Sequence, residues 1–239
     1  PTISERLAKY DPGNEYAINY MWGTTGLGIN VDKVKEALGE DAKLDSWDLL
    51  FNKETADKLA GCGIFMLDAP TETFPAAKNY LGIDPDAKDS ESIEKAKEKL
   101  LEIRGDICMA MGWSGDVLQA RDRAAEADAG VTVEYIIPKE GALMWFDNMA
   151  IPTDAPHVEE AHEFLNYIMK PEVMAKASNY VYYANGNKAS QEFLNEDVIG
   201  DTAIYPSEDT MGRLYTVSPE NAREKRELNR AWTEVKTGQ

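Results

Sequence analysis

Two short stretches of the sequence place a tryptophan close to an aspartate. Trp113 and Asp116 follow an apolar run that predicts a buried strand, and Trp145 and Asp147 lie inside a second strand-like run. An aromatic face beside a carboxylate suits an organic cation, because the ring attracts an ammonium group and the carboxylate pairs with it. Either pair alone is better explained by a core tryptophan and a capping or turn aspartate. Their repetition at two strand ends favours a ligand cleft.

Two further acids, Asp68 and Glu72, come directly after a predicted strand that ends at Leu67. Pro70 predicts that a helix begins here, because proline is favoured at a first helical position. In open α/β sheets ligands bind beyond the carboxyl ends of strands, which makes both acids candidates. Both also complement a helix N-terminus, and for Asp68 that explanation is the stronger one. Glu72 stays open as a site residue.

The two cysteines, Cys62 and Cys108, each adjoin a strand-like run. Neighbouring strands could join them in a disulfide in an oxidising compartment, and two buried free thiols are equally compatible with the pattern. With only two histidines, His157 and His162, the sequence does not complete a zinc site. We therefore expect no metal and no catalytic residue set.

The composition limits the classes of partner. The chain has 239 residues with a net charge of −18, which argues against nucleic acid because phosphates require a basic surface. A run of about 20 apolar residues, as a membrane helix requires, is absent from the sequence. The glycines between Gly23 and Gly28 do not have the spacing of a nucleotide loop, so no cofactor is expected. A strand that crosses between two lobes explains them better.

Strand and helix patterns alternate along the chain, which predicts an α/β protein. Several segments taken together resemble the periplasmic polyamine-binding proteins of ABC importers, closest to the putrescine-binding branch. The segments that carry this resemblance are Tyr20-Met-Trp-Gly-Thr-Thr-Gly-Leu-Gly-Ile-Asn30, Asp45-Ser-Trp-Asp48, Leu67-Asp-Ala-Pro70, Gly105-Asp-Ile-Cys108, Gly112-Trp-Ser-Gly-Asp116, Ile137-Pro-Lys-Glu-Gly141 and Arg230-Ala-Trp-Thr233.

The resemblance implies the two-lobed (type II) fold of periplasmic binding proteins, with lobes joined by crossing hinge strands near 22–30 and 137–150. By this resemblance the first lobe comprises 1–24 and 135–180, and the second comprises 25–134 and 181–239. Family members also carry an opening segment before the position of Pro1 and a longer connection where Arg104 meets Gly105. We therefore expect the first lobe to be incomplete, because the sequence covers part of the protein or because the protein is truncated.

The resemblance also assigns the ligand site. Trp113 and Asp116 match a ligand-binding pair, Asp147 matches the carboxylate beside a usually aromatic position that Trp145 occupies, and Glu72 matches the acid that faces the far amine. Tyr183 matches a ring that lines the cleft. Cys62 and Cys108 match the disulfide pair of the family, which favours the bond over free thiols.

The function implied is capture of a polyamine, putrescine first and spermidine next, and its delivery to the membrane permease of an ABC importer. Such a protein is periplasmic, is expected to be a monomer and is not an enzyme. Two alternatives remain: a glycoside hydrolase that uses a carboxylate pair, and a binding protein for another small solute. An amino acid would require an arginine for its carboxylate, and Arg104, Arg121 and Arg123 lie away from the predicted cleft.

Overall fold

The computed structural model of the chain describes residues 2–61, 63–102, 107–128 and 130–238, and for residues 2, 107 and 108 it describes the backbone only. Within these ranges the strands are β1 (Ile18–Asn30), β2 (Gly63–Phe65), β3 (Ile107–Trp113), β4 (Val133–Ile136), β5 (Leu143–Met149) and β6 (Ala184–Asn185). The α-helices are α1 (Thr2–Leu7), α2 (Val31–Leu38), α3 (Asp48–Phe51), α4 (Lys53–Leu59), α5 (Pro70–Tyr80), α6 (Ser90–Glu102), α7 (Ser114–Glu126), α8 (Val158–Ile168), α9 (Pro171–Val181), α10 (Glu196–Ile199), α11 (Glu208–Arg213) and α12 (Ala222–Thr237), and a 3₁₀ helix covers Lys188–Phe193.

Strand β1 is the centre of the sheet. Its first half pairs with β5 and β6, and its second half pairs with β3 and β4, in each case antiparallel. Strand β2 extends the sheet by pairing with β3 in parallel. The predicted strand is present as one continuous strand of 13 residues, and its crossing between two lobes stays a prediction. At its middle, a Cβ on Gly23 would lie 2.6 Å from the Trp145 ring, so the strand needs a glycine there.

Two hydrophobic cores lie along β1. The first, which we call the Trp47 core, gathers the buried side chains of the second half of β1, helices α2 to α6, strand β3 and helix α12; its largest members are Trp47, Phe51, Phe74 and Trp232. The second, the Trp22 core, gathers residues from β1, α7, β4, β5 and the segment 184–214; its members include Trp22, Leu118, Tyr135, Met144 and Val198. The mixed α/β architecture agrees with the predicted fold class.

The lobe boundaries of the sequence analysis stay a prediction. The two cores bear on them, because five residues of the predicted second lobe pack with Trp22 rather than with Trp47: Leu118, Ala184, Val198, Ile204 and Leu214. Helix α12, at the end of the chain, packs with the Trp47 core. The predicted disulfide also stays a prediction, because Cys62 and the side chain of Cys108 lie outside the described residues, as do Arg104 and Gly105.

Ser218 before Pro219 predicts that the last helix starts at the proline, but α12 begins at Ala222, where Asn221 and Glu224 form a capping box. This reciprocal pair of hydrogen bonds satisfies two N–H groups at the helix start.

The spacing of the apolar residues of α8 predicts that Val158, Ala161, Leu165 and Ile168 point inward. Ala161, Leu165 and Ile168 are half-buried, whereas Val158 is 43% exposed. Among the described elements, α8 contacts α9.

The turn between β4 and β5 fastens the second crossing to helix α3. Glu140 accepts a hydrogen bond of 2.5 Å from the Ser46 hydroxyl and one of 3.1 Å from the Trp47 backbone N–H. The Trp47 indole N–H donates to the carbonyl of Gly141 at 2.8 Å, and this ring is fully buried. These three hydrogen bonds therefore join the β4–β5 turn to the start of α3. Of the helices in the described ranges, none combines the length and the apolar character that a bilayer crossing demands.

Replacing Glu140 by alanine should lower the free energy of unfolding by about 1–3 kcal/mol, because the buried Trp47 N–H and the Ser46 hydroxyl lose their acceptor. Urea denaturation measures this change. Glu134→Ala, which removes the same charge from an exposed position on β4, is the control and should change the free energy by about 0.5 kcal/mol or less. An equal decrease in the free energy of unfolding in the two variants would contradict the role of the Glu140 hydrogen bonds in joining the turn to α3.

Candidate functional site

The sequence from Ile107 to Asp116 predicts a strand, a turn at Gly112 and Gly115, and a helix; the strand and the helix are present, but they adjoin directly, with Gly112 in the strand and Gly115 in the helix. Strand β3 ends at Trp113, and helix α7 begins at Ser114, so Asp116 lies in the first turn of α7. A carboxylate is stabilised in that place by the partial positive charge of the helix N-terminus. The strand end thus presents an indole, and the helix start presents an acid.

A cavity of about 330 Å³ collects most of the predicted site. Its wall consists of Glu72, Trp113, Trp145, Phe146, Asp147 and Tyr183. Five of the six residues predicted to bind a ligand thus share one cavity, although they come from α5, β3, β5 and the segment after α9. Asp116 is the one that is not part of this wall.

Asp116 nevertheless lies next to the cavity. The pKa of the Tyr183 hydroxyl is raised by burial and by the neighbouring Asp116 carboxylate, which places the acid beside the ring. The Asp116 side chain itself is exposed. Asp116 is therefore an exposed acid beside Tyr183 and outside the cavity wall.

Glu72 lies in the first turn of α5, which begins at Pro70 as predicted. Its two carboxylate oxygens accept hydrogen bonds from the Trp113 indole N–H at 3.0 and 2.9 Å. The hydroxyl of Thr25, in the middle of β1, donates a further short hydrogen bond to the same carboxylate. These donors are neutral, so they fix the orientation of the acid and leave its negative charge uncompensated.

Trp145 and Tyr183 form an aromatic wall. Their ring centroids are 5.2 Å apart and the ring planes meet at 70°, an edge-to-face arrangement. Two glycines make room for these rings: Gly23 faces Trp145, and a Cβ on Gly115 would lie 2.6 Å from the Tyr183 ring. The Trp145 indole N–H is buried and has no hydrogen-bond partner among the described residues.

Asp147 lies on β5, opposite Met21 of β1. The sequence predicted an interruption of the strand at Asp147 and Asn148, but β5 runs through both residues to Met149. Partial burial raises the pKa of the Asp147 carboxyl above its ordinary value of 3.8, and no hydrogen bond or charge acts in the opposite direction. This acid is therefore desolvated without compensation, a state that a bound cation would relieve.

No lysine, arginine or histidine forms a salt bridge with Glu72, Asp116 or Asp147 in the part of the chain that the structure describes. Two acids, Glu72 and Asp147, therefore share the cavity wall with several ring faces, and a third, Asp116, lies beside Tyr183, all without a salt-bridged protein cation among the described residues. Such an arrangement can bind an organic cation through charge-assisted hydrogen bonds and ring faces.

Asp68 is not part of the cavity. It was expected to complement the N-terminus of α5, and in the structure it accepts hydrogen bonds from the Trp232 indole N–H at 2.6 Å and from Lys236 at 2.9 Å. These two bonds lower the pKa of the Asp68 carboxyl. Asp68 thus fastens α12 to the loop before α5. Across the described ranges, His, Cys, Asp and Glu side chains nowhere come together in a set of three that could hold a metal ion.

Four residues near the site were missed by sequence reasoning. Phe146 lines the cavity, and the Thr25 hydroxyl holds Glu72. Two tyrosines lie near the acids: burial and Asp147 raise the pKa of Tyr20, and burial and Glu72 raise the pKa of Tyr215. Phe146 could have been found, because it lies between two residues already singled out. The other three come close only through pairing across the sheet, for which the sequence carries no local signal.

A two-lobed α/β chain with an acidic, aromatic cleft is typical of extracytoplasmic solute-binding proteins. A family profile described as "Bacterial extracellular solute-binding protein" matches residues 103–206. A crystal structure of the spermidine/putrescine ABC transporter substrate-binding protein PotD from Streptococcus pneumoniae superimposes with a TM-score of 0.79 over 98% of this chain and 72% of that one. At 24% identity this likeness shows the fold alone.

Two curated proteins are more similar in sequence. The putrescine-binding periplasmic protein SpuD of Pseudomonas aeruginosa is 47% identical over 99% of this chain and 69% of its own length. The putrescine-binding periplasmic protein PotF of Escherichia coli is 44% identical over 100% of this chain and 69% of its own length. The chain therefore belongs to the family of putrescine-binding periplasmic proteins. Its relatives are binding proteins of transport systems, so the chain is not an enzyme and the glycoside hydrolase alternative is excluded.

Gly115→Ala should displace Tyr183 from the aromatic wall, because the new methyl group would lie 2.6 Å from the ring and 2.7 Å from the carbonyl oxygen of Val181. Overpacking of this kind costs about 1–3 kcal/mol, which urea unfolding measures. Near-ultraviolet circular dichroism should change as the tyrosine moves. Gly212→Ala is the matched control, since nothing lies within 4 Å of its Cβ position. An unchanged stability of the Gly115 variant would contradict the packing described.

Proposed function

We propose that the chain captures a polyamine in the cleft, putrescine first and spermidine next, and delivers it to the membrane permease of an ABC importer. The observation that carries this proposal is the cavity itself, in which Glu72 and Asp147 share a wall with the rings of Trp113, Trp145 and Tyr183. The names of the two similar proteins, which are putrescine-binding, support the same ligand.

The chemistry of a diamine matches this wall. Its two ammonium ends need carboxylates, and its methylene stem needs an apolar surface. In the proposal Asp147, with Asp116 beside the cavity, binds one ammonium group and Glu72 binds the other. Each charge-assisted hydrogen bond contributes about 1.5–3 kcal/mol when water is excluded. The rings supply apolar contact for the stem and their faces attract the ammonium ends.

A neighbouring cavity supports spermidine as the second ligand. It has a volume of about 340 Å³ and shares Glu72, Trp145 and Phe146 with the first cavity. A triamine longer than putrescine could therefore extend past Glu72. The second cavity is lined mainly by apolar side chains, among them Leu143 and Met144, which suits an added methylene segment.

The proposed mechanism is closure of two lobes around the ligand. We keep the lobes of the sequence analysis, 1–24 with 135–180 and 25–134 with 181–239, with two changes: the packing of 184–214 and of α7 on the Trp22 core favours their place in the first lobe. A hinge at β1 and at the β4–β5 connection would let the cores move as units. The periplasm as location, the monomeric state and the permease as partner belong to the same proposal, supported by the family.

A binding protein for another small solute is the alternative. An amino acid would need a basic group for its carboxylate. Arg121 is engaged elsewhere, with Asp201 at 2.9 Å and Asp122 at 3.2 Å. The acidic cavity wall therefore favours a ligand that carries positive charge only.

Calorimetric titration with putrescine, spermidine, an amino acid and a sugar tests the proposal. We expect micromolar or tighter binding of an amine, about −8 kcal/mol or better, and an affinity about 10- to 100-fold weaker in Asp147→Asn, which loses one charge-assisted hydrogen bond. Asp154→Asn removes the same charge from an exposed loop position and should bind as the wild type does. A folded protein that gives no heat with any amine would overturn the polyamine assignment.

Binding should weaken in acid. Because burial raises the pKa of Asp147, this carboxyl takes up a proton at a higher pH than an ordinary aspartate. An ammonium group pairs with the ionised form, so the contribution of Asp147 is complete above its raised pKa and disappears as the pH falls through it. Titrations from neutral into acidic buffer measure the affinity for putrescine. The decrease should be shallower in Asp147→Asn, and parallel profiles would show that Asp147 does not contact the cation.

A further inference from the structure

Glu72 is the only acid on the cavity wall for which the described residues provide side-chain hydrogen-bond donors. One donor is the indole of Trp113, which also lines the cavity, and the other is the hydroxyl of Thr25, which does not. Thr25 is 1% exposed, so its hydroxyl cannot exchange this bond for one to bulk water. The buried donor therefore acts on the acid from behind the ligand surface.

The sheet explains why the two donors converge. Thr25 of β1 and Trp113 of β3 are direct partners in the antiparallel ladder. Directly opposed residues project to the same face of a sheet with their Cβ atoms about 4.5–5.5 Å apart. Both side chains therefore reach the same carboxylate, which α5 presents above that face. The geometry depends on the register of β1, because a shift of one residue would turn Thr25 to the opposite face.

A second hydroxyl near Glu72 does not take over this role. The Tyr215 hydroxyl is buried and has no hydrogen-bond partner among the described residues. Its segment is fixed by backbone hydrogen bonds between Tyr215 and the residues Ala142 and Met144. Thr25 is thus the hydroxyl that orients the acid.

We propose that Thr25 is a positioning residue for ligand binding: its hydroxyl, fixed in the hinge strand, holds the Glu72 carboxylate in the orientation that receives the far ammonium group of a diamine. This inference rests on the proposed function for its ligand. The orientation of Glu72 and Trp113 by Thr25 does not depend on the proposed function. A carboxylate held in advance loses less conformational freedom when the ligand binds, which is the origin of the expected gain in affinity.

The binding test compares Thr25→Val, which keeps the shape and removes the hydroxyl, with Thr25→Ser, which retains it. Thr25→Val should weaken putrescine binding about tenfold, equivalent to about 1.4 kcal/mol, while Thr25→Ser binds close to wild type. Thr24→Val is the matched control: Thr24 is equally buried on the same strand, but its hydroxyl bonds Tyr135 at 2.8 Å and not Glu72. Its affinity for putrescine should be unchanged.

A double-mutant cycle separates positioning from a general structural effect. In the Glu72→Gln background, Thr25→Val should cause no further loss of affinity, because the group on which it acts is already neutral. The same loss in both backgrounds, or wild-type affinity of Thr25→Val, would overturn the inference.

A measurement without ligand keeps this inference distinguishable from the proposed function. The indole N–H resonance of Trp113, assigned with Trp113→Phe, reports the hydrogen bond to Glu72. Thr25→Val should shift this resonance in the ligand-free protein, and Thr24→Val should not. If the wild type bound no amine, the proposed function would fail while a shifted resonance would still support control of Glu72 by Thr25. An unmoved resonance in Thr25→Val would overturn the inference whatever the protein binds.

Discussion

Strand β1 must belong to two hydrophobic cores at once, and the rest of the molecule is arranged around this requirement. Its first half contributes Trp22 to one core, and its second half contributes Leu27 and Ile29 to the other. Between them lie Gly23, Thr24 and Thr25, which carry small or hydroxyl side chains. The Trp145 ring packs against Gly23 and the Thr25 hydroxyl donates to Glu72, so the cavity wall meets β1 at the boundary between the two cores.

The cleft combines two electrostatic situations. Glu72 is oriented by hydrogen bonds from Thr25 and Trp113. Asp147 has no such support, and partial burial raises its pKa. Both arrangements leave a negative charge that lacks a protein cation within the described residues, but one acid is fixed and the other is desolvated. At Glu72 a cation would meet an acceptor that is already oriented. At Asp147 a cation would offset the loss of solvation that partial burial causes.

Local signals predicted the parts of the fold and site that local interactions determine. The start of α5 at Pro70 and the change from β3 to α7 after Trp113 follow from the preferences of single residues. Contacts made across the sheet were not predictable in this way. Thr25 reaches Glu72 only because β1 pairs with β3 in one register. Asp116 was expected among the ligand-binding residues, but in the first turn of α7 it lies beside Tyr183 and outside the cavity wall.

The unequal ends of the cleft bear on how such a protein distinguishes its ligands. A fixed acid such as Glu72 accepts an ammonium group at one position only. The distance from that position to the other acid therefore limits the length of the ligand. The carboxylate of Asp147 is partly buried and is not held by a hydrogen bond among the described residues, so it attracts positive charge without setting that distance. The neighbouring cavity begins at Glu72, where a longer amine would have to pass the fixed acid. Under the proposed function, chain-length selectivity would therefore be decided at the oriented end, where Thr25 of β1 holds Glu72.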